Sequence, residues 1–484
     1  MIKEIIRKAK DENKKVYIYA HKFPDGDAIG SSLAIAEYLK DNGIDAKYIL
    51  SQESRLLPEI FDEISVTTSV DRNQISLILD TNKTEQVDNR NFMKSRRNDI
   101  YVIDHHQKTE NSIEEELKLS SDNVIRDSKA SSTCELILNQ IDREKITPQI
   151  ANYLTTGLLT DTAKLKFLRE NTLHNLAVLI ASGARYDEIS EICNKKIKLK
   201  DEVVLARLML KVQKYQIGDT FGLILPVNFE EANRLEKQYY MKNLHRKIFK
   251  MSDIENCSFN CMSVETEPGN YNIEFRSATL FGNFDVFNLA LQLGGGGHHN
   301  ASGCSLTQDN GFEQNGIIEM IKQTTQERYS NYGKGIKKIE LNNADKELSS
   351  ILEKTQNLTK NVTPQALSQV HKLIKSGANY EYIFRKMKTF EEFMLGNEIL
   401  SRVTEDVLNE KNPVVKIILS EDEIEILKHK YNINEKTILE NIRIFSNIDI
   451  ENASIELPDG SKSIITKTGK VEILKSKDED EFSL

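Results

Sequence analysis

The sequence predicts an α/β protein whose N-terminal part contains a doubly wound parallel sheet. Short β-prone runs alternate with helical segments through residues 1 to about 190, which is the pattern of βα units. Acidic residues or histidines directly follow several of these runs, and open parallel sheets place their sites at the carboxyl ends of strands. A glycine run at 294–297 lies in a later region that predicts a second, smaller α/β lobe.

Three predicted strands each end directly before a candidate ligand. They are 16–20 before His21, 75–79 before Asp80, and 100–103 before Asp104, His105 and His106. Further predicted elements of this part are a strand at 46–50 and helices at 31–42, 132–141 and 148–159, the last of which leads to Asp161. Asp25, Gly26 and Asp27 predict a turn with two outward carboxylates, in which glycine supplies the tight backbone.

Together these positions supply several carboxylates and imidazoles. Two divalent ions about 3.5–4 Å apart can clamp the attacking and leaving oxygens of a phosphoryl displacement, and this ligand mixture suits Mn²⁺. Each piece alone has a plainer explanation, such as a solvated turn, a helix cap or a packed histidine. Five of the nine histidines fall in these few segments and the glycine run, and this joint occurrence favours a metal site.

The order and spacing of these motifs resemble the DHH phosphoesterase superfamily, and its nanoRNase/pAp phosphatase branch in particular. The segments 130–133 and 157–162 are further landmarks of that branch, and the glycine-rich region resembles the DHH-associated substrate domain. The resemblance covers about residues 1–325. The sequence departs from the family pattern at two places, with His299 after His298 and with Asn82-Lys83 after Asp80. Both differences bear on substrate preference.

Carried over residue by residue, the resemblance implies two metal positions with Asp80 as the bridge. His21, Asp25 and Asp80 would hold the first ion, and Asp27, Asp80, His105 and Asp161 the second. His106 would act on the scissile phosphate, and Asp104 would orient a histidine of the pair. The implied cofactor is two Mn²⁺ ions, with Mg²⁺ or Co²⁺ as alternatives.

The resemblance also implies a nucleotide-binding element in the second lobe. Its residues would be Arg276, Ser277, Gly295, Gly296, Gly297, His298 and His299. A glycine run lets the backbone approach a ligand closely with exposed N–H groups, and a guanidinium suits bidentate phosphate binding. A cleft between the two lobes is the expected place for the substrate.

Bulk composition narrows the class of protein. The chain has 484 residues, a net charge of −9 and no run of about 18 apolar residues, so we expect a cytoplasmic protein without a membrane partner. Its acidity disfavours binding to long duplex nucleic acid. The five scattered cysteines suggest reduced thiols; Cys257 and Cys261 have no second pair and are read as strand residues.

The predicted domains are a catalytic domain at 1–190, a linker helix at 191–214 and a substrate-binding domain at 215–330. A C-terminal α+β extension follows at 345–475, and a charged, disordered tail is expected at 476–484. Strands of the second lobe are predicted at 221–225, 257–264 and 272–277.

The extension contains an internal repeat. Residues 179–186 recur as 373–380, a shift of 194 (373 − 179), and 253–258 recur as 449–454, a shift of 196 (449 − 253). We interpret 345–475 as a degenerate second copy of the linker and part of the substrate lobe, with coincidence between short motifs as the alternative. The copy lacks every metal ligand, so we expect it to pack on the catalytic body or on a homodimer partner, if one exists.

The leading functional interpretation is a Mn²⁺-dependent phosphoesterase acting on short oligoribonucleotides or on 3′-phosphoadenosine 5′-phosphate (pAp). The alternative is a phosphodiesterase for cyclic or linear dinucleotides such as c-di-AMP or pApA. A RecJ-like exonuclease is disfavoured because no extra basic module is recognised, and a pyrophosphatase because the glycine-rich lobe implies a nucleotide. A non-catalytic nucleotide-binding protein is the remaining alternative.

Overall fold

The computed structural model describes most of the chain in two compact units. It describes all residues except 50–59, 62–69, 71–72, 195–196, 240–250, 278–283, 308–312, 330–339, 386, 409, 467–470 and 475–484. Unit 1 comprises Met1–Lys195 and Leu341–Phe384, and unit 2 comprises Lys196–Glu340 and Arg385–Leu484. Each unit therefore contains an earlier and a later stretch of the chain.

A five-stranded, all-parallel sheet forms the centre of unit 1. Its strands are β1 (Lys15–Tyr19), β2 (Ala46–Tyr48), β3 (Gln74–Leu79), β4 (Ile100–Asp104) and β5 (Val124–Arg126), in the spatial order β2-β1-β3-β4-β5. The order reverses between β1 and β3, which makes the sheet doubly wound and places a topological switch point there. Every residue of β3 is buried, as expected for a central strand covered on both faces.

The helices of unit 1 up to residue 161 follow or precede these strands. They are α1 (Ile2–Asp11), α2 (Gly26–Asp41), α3 (Ile113–Leu117), α4 (Thr133–Leu138) and α5 (Pro148–Asp161). Helices α2 and α5 approach closely through glycines: a Cβ on Gly30 would lie 2.5 Å from the carbonyl oxygen of Tyr153. Such contacts let the first turn of α2 lie against the last turn of α5, so both helices reach the same edge of the sheet.

A second, purely helical layer completes unit 1. It contains α6 (Thr172–Ala181), α7 (Tyr186–Cys193), α12 (Asn343–Lys354), α13 (Pro364–Lys375) and α14 (Tyr380–Arg385), of which the final residue belongs to unit 2. These helices share one apolar cluster with the end of α5, which includes the fully buried Leu176, Leu348 and Leu367. The later stretch of the chain is thus part of the core of unit 1.

Unit 2 contains a mixed six-stranded sheet. Its strands are β7 (Gln213–Ile217), β8 (Thr220–Val227), β9 (Cys257–Glu267), β10 (Asn270–Ser277), β11 (Gly296–His298) and β12 (Ala301–Leu306), in the order β11-β12-β10-β9-β8-β7. Its helices are α8 (Leu199–Met209), α9 (Phe229–Tyr239), α10 (Val286–Gln292) and α11 (Gln314–Tyr329). Cys257 and Cys261 are buried on β9, and all five cysteines of the chain carry free thiols.

The end of the chain adds a smaller sheet to unit 2. Strands β13 (Val414–Ile418), β15 (Asn452–Glu456), β16 (Lys462–Thr466) and β17 (Val471–Leu474) are neighbours in that order, and β14 (Ile448–Asp449) pairs with β6 (Ile197–Lys198). The accompanying helices are α15 (Phe390–Ser401), α16 (Glu405–Leu408), α17 (Glu421–Tyr431) and α18 (Glu435–Glu440). This sheet and α8 share one apolar cluster.

The predicted α/β class with a parallel doubly wound sheet is confirmed. Several bounds differ from the predicted ones; for example, α2 begins at Gly26 rather than 31 and α4 ends at Leu138 rather than 141. The predicted domain boundaries and the repeat stay predictions, and the tail at 476–484 lies outside the described residues. Within the described part of the chain, no helix is both long and apolar enough to cross a membrane.

Candidate metal centre

The carboxyl edge of the parallel sheet brings six candidate ligands together. Asp80 follows β3 and His105 follows β4, and the His105 Nε2 atom lies 3.6 Å from Asp80 Oδ1. The same nitrogen lies 3.3 Å from Asp161 Oδ2, at the end of α5, and 4.0 Å from Asp27 Oδ2, in the first turn of α2. One potential coordination group thus contains Asp27, His105 and Asp161, whose ligand atoms lie within 4.8 Å of one another.

A second group lies on the other side of Asp80. The His21 Nε2 atom, just after β1, lies 3.7 Å from Asp80 Oδ2 and 4.0 Å from Asp25 Oδ1. These three residues form another set with ligand atoms within 4.8 Å. Asp80 thus offers one oxygen toward each group, which is the arrangement that a bridging carboxylate requires.

Asp27 is held by the start of α4. Its carboxylate accepts backbone hydrogen bonds from Thr133 (2.7 Å) and Cys134 (2.9 Å), and it is fully buried. The predicted turn with two outward carboxylates is therefore wrong for Asp27. Gly26 and Asp27 are the first residues of α2, and Asp25 is its N-cap, accepting from the amides of Asp27 and Ala28.

His106 is oriented by a buried network that sequence reasoning only partly found. As expected, Asp104 bonds to it: Oδ1 lies 2.7 Å from His106 Nδ1. Arg126, which was not predicted, forms an ion pair with the other oxygen of Asp104. The Nε atom of Arg126 also donates to Glu114 Oε1 at 2.7 Å. Arg126 ends β5, so the rule that found Asp80 and Asp104 would have found it had this three-residue strand been recognised.

The protonation of the His106 network follows from these contacts. The hydrogen bond that His106 donates to Asp104 raises the pKa of His106 to about 9 against the opposing effect of burial. Burial favours a neutral Asp104, but His106 and Arg126 hold its pKa below the usual value. Without bound metal, this pKa favours an imidazolium at His106, paired with an ionised Asp104.

The acidic cluster itself is electrostatically crowded. Burial, and then the charges of Asp80 and Asp161, raise the pKa of Asp27 well above its usual value. Burial also raises the pKa of Asp161 to about 6, although His105 opposes this effect. Burial disfavours the charged form of His21, but Asp80 raises its pKa above the ordinary value. A divalent cation would relieve the repulsion among these carboxylates, so the donor set fits bound metal.

Backbone geometry at Asp80 supports a functional position. Its φ is +50°, a left-handed conformation that non-glycine residues adopt uncommonly and at an energetic cost. The Asp80 amide donates to the carbonyl of Ile103 at 3.1 Å, and its Oδ1 accepts from Thr133 Oγ1 at 3.1 Å. Gly157 is also required here, because a Cβ would meet Cys134 Sγ and lie 2.9 Å from Asp27 Oδ1.

The predicted nucleotide-binding residues lie together in unit 2. Arg276 and Ser277 end β10, and Ser277 bonds through its side chain and its amide to Asn300. His299 Nδ1 lies 3.4 Å from Asp285 Oδ1; the side chain of His298 is outside the described set. These residues meet at one end of the sheet formed by β10, β11 and β12.

The glycine run is more ordered than a flexible loop. Gly296, Gly297 and His298 form the edge strand β11, paired antiparallel with β12. The amides of Gly294 and Gly295 donate to carbonyls of α10 at 3.1 and 2.8 Å. The expectation of exposed N–H groups is therefore wrong for these two glycines. Gly297 has a φ of +139°, and a Cβ there would lie 2.6 Å from the carbonyl oxygen of Ala301.

The N-terminal part of the chain matches a known family. Residues 15–158 match the family model described as the DHH family, N-terminal domain. This range contains all strands of the parallel sheet and every candidate ligand except Asp161.

Curated relatives extend the similarity beyond this domain. The chain is 25% identical over 302 residues to the bifunctional oligoribonuclease and PAP phosphatase NrnA of Mycoplasma genitalium, covering 60% of this chain and 89% of that protein. NrnA of Thermus thermophilus is also 25% identical, over 64% of this chain and 89% of its own length. The cyclic-di-AMP phosphodiesterase GdpP of Bacillus subtilis is 28% identical over 61% of this chain, but the match spans only 46% of GdpP.

A solved structure shares the fold. An exopolyphosphatase-related protein from Bacteroides fragilis superposes with a TM-score of 0.50 at 20% identity, covering 68% of this chain and 96% of that one. The recognition made from the DHH motifs is confirmed, as is the assignment to the phosphodiesterases and phosphatases. Residues 15–158 match the DHH family, N-terminal domain, and the chain is similar to NrnA proteins over about 60% of its length.

Proposed function

We propose that this protein is a divalent-metal-dependent phosphoesterase that hydrolyses very short oligoribonucleotides and releases phosphate from pAp. The observation that carries the proposal is the overlap of the ligand groups at the sheet edge. A third group, Asp80, His105 and His106, overlaps the two described above, so that Asp80 belongs to two groups and His105 to two. This overlap suits neighbouring positions rather than one isolated site. Neighbouring cation positions are suited to phosphoryl chemistry.

The residues divide between two ions. His21, Asp25 and Asp80 would hold one, and Asp27, Asp80, His105 and Asp161 would hold the other. Carboxylates and imidazoles suit Mn²⁺, with Mg²⁺ and Co²⁺ as alternatives. When bound, such ions supply charge stabilisation and a lowered pKa of water at the reacting phosphate.

His106 supplies the positive charge that the chain itself contributes. Its side chain is half exposed, and Nδ1 is bonded to Asp104, which leaves Nε2 as a second donor. A charge-assisted hydrogen bond from this imidazolium to a phosphate oxygen would stabilise developing negative charge. Asp104 and Arg126 keep the ring oriented and charged, which is a positioning role.

The extent of the match favours NrnA-type substrates over cyclic dinucleotides. The chain accounts for 89% of each of the two NrnA proteins compared, but for 46% of GdpP and 27% of the phosphodiesterase PdeA of Listeria monocytogenes. Hydrolysis confined to the dinucleotides c-di-AMP and pApA is the second candidate, because the identity to these phosphodiesterases, 28%, is no lower than the 25% to the NrnA proteins.

Turnover on a substrate panel tests the proposal. The panel contains pAp, pApA, a five-nucleotide RNA, c-di-AMP and single-stranded DNA, each with Mn²⁺, Mg²⁺ or Co²⁺, with Asp80→Ala as the inactive control. We expect mononucleotide release from pApA and the RNA, and phosphate release from pAp. Activity confined to c-di-AMP, or to c-di-AMP and pApA without the RNA and pAp, would replace this proposal with the second candidate. No turnover despite bound metal would overturn both.

We further propose that the cluster at the end of β10 binds nucleotide phosphate. It combines Arg276, Ser277 and His299 with the backbone of Gly295, Gly296, Gly297 and His298, and guanidinium and imidazole groups are suited to phosphate. Arg276→Met should raise KM for pApA about tenfold or more with kcat nearly unchanged. Lys416→Met, which removes a pair with Glu456 in the same unit, is the control. An unchanged KM in Arg276→Met would contradict this assignment.

A further inference from the structure

Two turns of unit 1 share an uncommon backbone. After α5, residues 163–165 have φ values from 48° to 67°, and after α12, residues 356–358 have φ values from 48° to 62°. Non-glycine residues visit this left-handed region as single residues rather than in runs. The two runs are separated by 193 residues (356 − 163), close to the shifts of 194 and 196 seen in the sequence.

A threonine organises each turn through the same pair of bonds. Its hydroxyl donates to the carbonyl four residues earlier and accepts from the amide three residues later. The distances are 2.7 and 3.1 Å for Thr162, and 2.8 and 3.2 Å for Thr355. Two residues after the next helix of each set lies a glycine, and the two glycines have nearly equal φ, 96° at Gly183 and 97° at Gly377. The three-helix set α5–α7 is thus repeated as α12–α14.

The two helical sets bond to each other reciprocally. The hydroxyl of Tyr186, at the start of α7, donates to the carbonyl of Leu358 at 2.6 Å. The hydroxyl of Tyr380, at the start of α14, donates to the carbonyl of Leu165 at 2.9 Å. Each tyrosine therefore binds the left-handed turn of the other set. Reciprocity of this kind defines the isologous interface of a two-fold symmetric dimer.

Unit 2 contains the same duplication. In the six-stranded sheet, β8 pairs in parallel with β9, and the next two pairs, β9 with β10 and β10 with β12, are antiparallel. The smaller sheet has the same order of pairings: β13 with β15 is parallel, and β15 with β16 and β16 with β17 are antiparallel. A helix, α9 or α17, connects the two parallel strands in each case.

The copies in unit 2 also exchange backbone contacts. The segment before α8 pairs in parallel with 448–449, which precede β15. The residue before the N-cap of α15, Lys388, pairs in parallel with Ile254, which precedes β9. Its amide donates to Asp253 and its carbonyl accepts from Glu255, at 3.2 and 2.8 Å. Each copy thus contributes the same pair of segments to the other.

We propose that residues 343–474 take the place of a second subunit, so that the chain is an internal pseudo-dimer with one catalytic site. The reciprocal faces are occupied by the chain's own copy, which leaves them closed to a second molecule. The position equivalent to Asp161 is Lys354 (354 − 161 = 193), and all three ligand groups in the described part of the chain come from residues 21–161. This inference does not depend on the substrate.

Mass and nicking experiments on the full chain test the pairing. Sedimentation of the intact protein should give one species of 55.3 kDa, with no change up to about 100 μM; a dimer would overturn the proposal. A protease site inserted between residues 340 and 341, which are exposed and lie at a boundary of the two units, allows the folded chain to be cut. The two fragments should sediment together at sub-micromolar concentration, and their separation would also overturn the proposal.

Tyrosine variants of the nicked protein test the reciprocity. Tyr186→Phe and Tyr380→Phe should each raise the dissociation constant of the fragments by about fivefold to tenfold, the value of one lost hydrogen bond. Tyr38→Phe is the matched control, because that hydroxyl bonds to the amide of Asp142 within the first fragment. Equal effects of the two variants and none in the control support the proposal. Two interface variants that behave like the control would overturn it.

Discussion

The turn that follows α5 and the turn that follows α12 have the same conformation but different chemistry. Both contain a threonine with the same two hydrogen bonds and three left-handed residues. The residue before the threonine is Asp161 in one case and Lys354 in the other. The turn is held by local hydrogen bonds and apolar packing, neither of which uses that side chain. A candidate metal ligand can therefore be replaced without loss of the turn that presents it.

Replacement of the bridging carboxylate should have the largest effect. Asp80→Asn keeps the size of the side chain but removes the charge shared by both ligand groups. We expect turnover to fall at least a few hundredfold, on the order of the loss of a key electrostatic group in an active site. Titration calorimetry with Mn²⁺ should show weaker binding and a lower stoichiometry. Wild-type turnover in this variant would exclude Asp80 as a bridge.

Exchange of the differing residues between the two turns tests the comparison directly. Asp161→Lys should lower turnover about a hundredfold or more, because it places a cation beside His105 where a ligand is proposed. Lys354→Asp should change neither turnover nor the number of Mn²⁺ ions bound, since no other ligand group of the described chain lies there. A gain of a metal ion in Lys354→Asp would show that the second copy retains a site.

Loss of Arg126 tests the network that has no counterpart in the second copy. Arg126→Met removes the buried partner of Asp104 and should reduce turnover about tenfold to a hundredfold, as expected for groups that orient site residues. The pKa of His106, followed by NMR, should also change in the Arg126→Met variant. Arg185→Met, which breaks an exposed pair with Glu188 in the same unit, should leave both unchanged. An unperturbed His106 titration would contradict the positioning role.

The pH dependence of metal binding separates the ligand-bearing turn from its copy. Without metal the pKa of Asp161 is about 6, so below pH 6 a cation must displace a proton, and its affinity should fall about tenfold per pH unit from this group alone. The rise in melting temperature on adding Mn²⁺ should therefore be larger at pH 8 than at pH 5. Asp161→Asn should flatten this dependence, whereas Lys354→Met should not. A larger stabilisation at pH 5 would contradict the assignment.

The smallest expected effect concerns the turns themselves. Thr162→Val and Thr355→Val each remove a buried hydroxyl that satisfies a buried amide, and each should lower the free energy of unfolding by about 1–3 kcal/mol. The two variants should be similar in stability by denaturant titration. Only Thr162→Val should also lower turnover, because its neighbour is Asp161. Equal turnover in both variants would show that the turn does not position that carboxylate.

Much of the site could be predicted because ligand type and strand-end position are local properties of the sequence. His21, Asp80 and His105 each follow a short apolar run, and parallel strands bring such ends to one edge. Arg126 was missed because β5 has only three residues and gives a weak periodic signal. The buried position of Asp27 was missed because the start of α2 is set by packing of Gly26 and Gly30 against α5, which local composition does not encode.

The sequence alone determined the class of the fold, and it predicted a ligand set and a repeated segment, because each depends on residue type and spacing. Tertiary structure decided what the repeat does. The reciprocal bonds of Tyr186 and Tyr380 join residues 172 and 215 positions apart, and no local pattern specifies such partners. Likewise, the pKa of Asp161 and the charge of His106 arise from neighbours that only folding brings together.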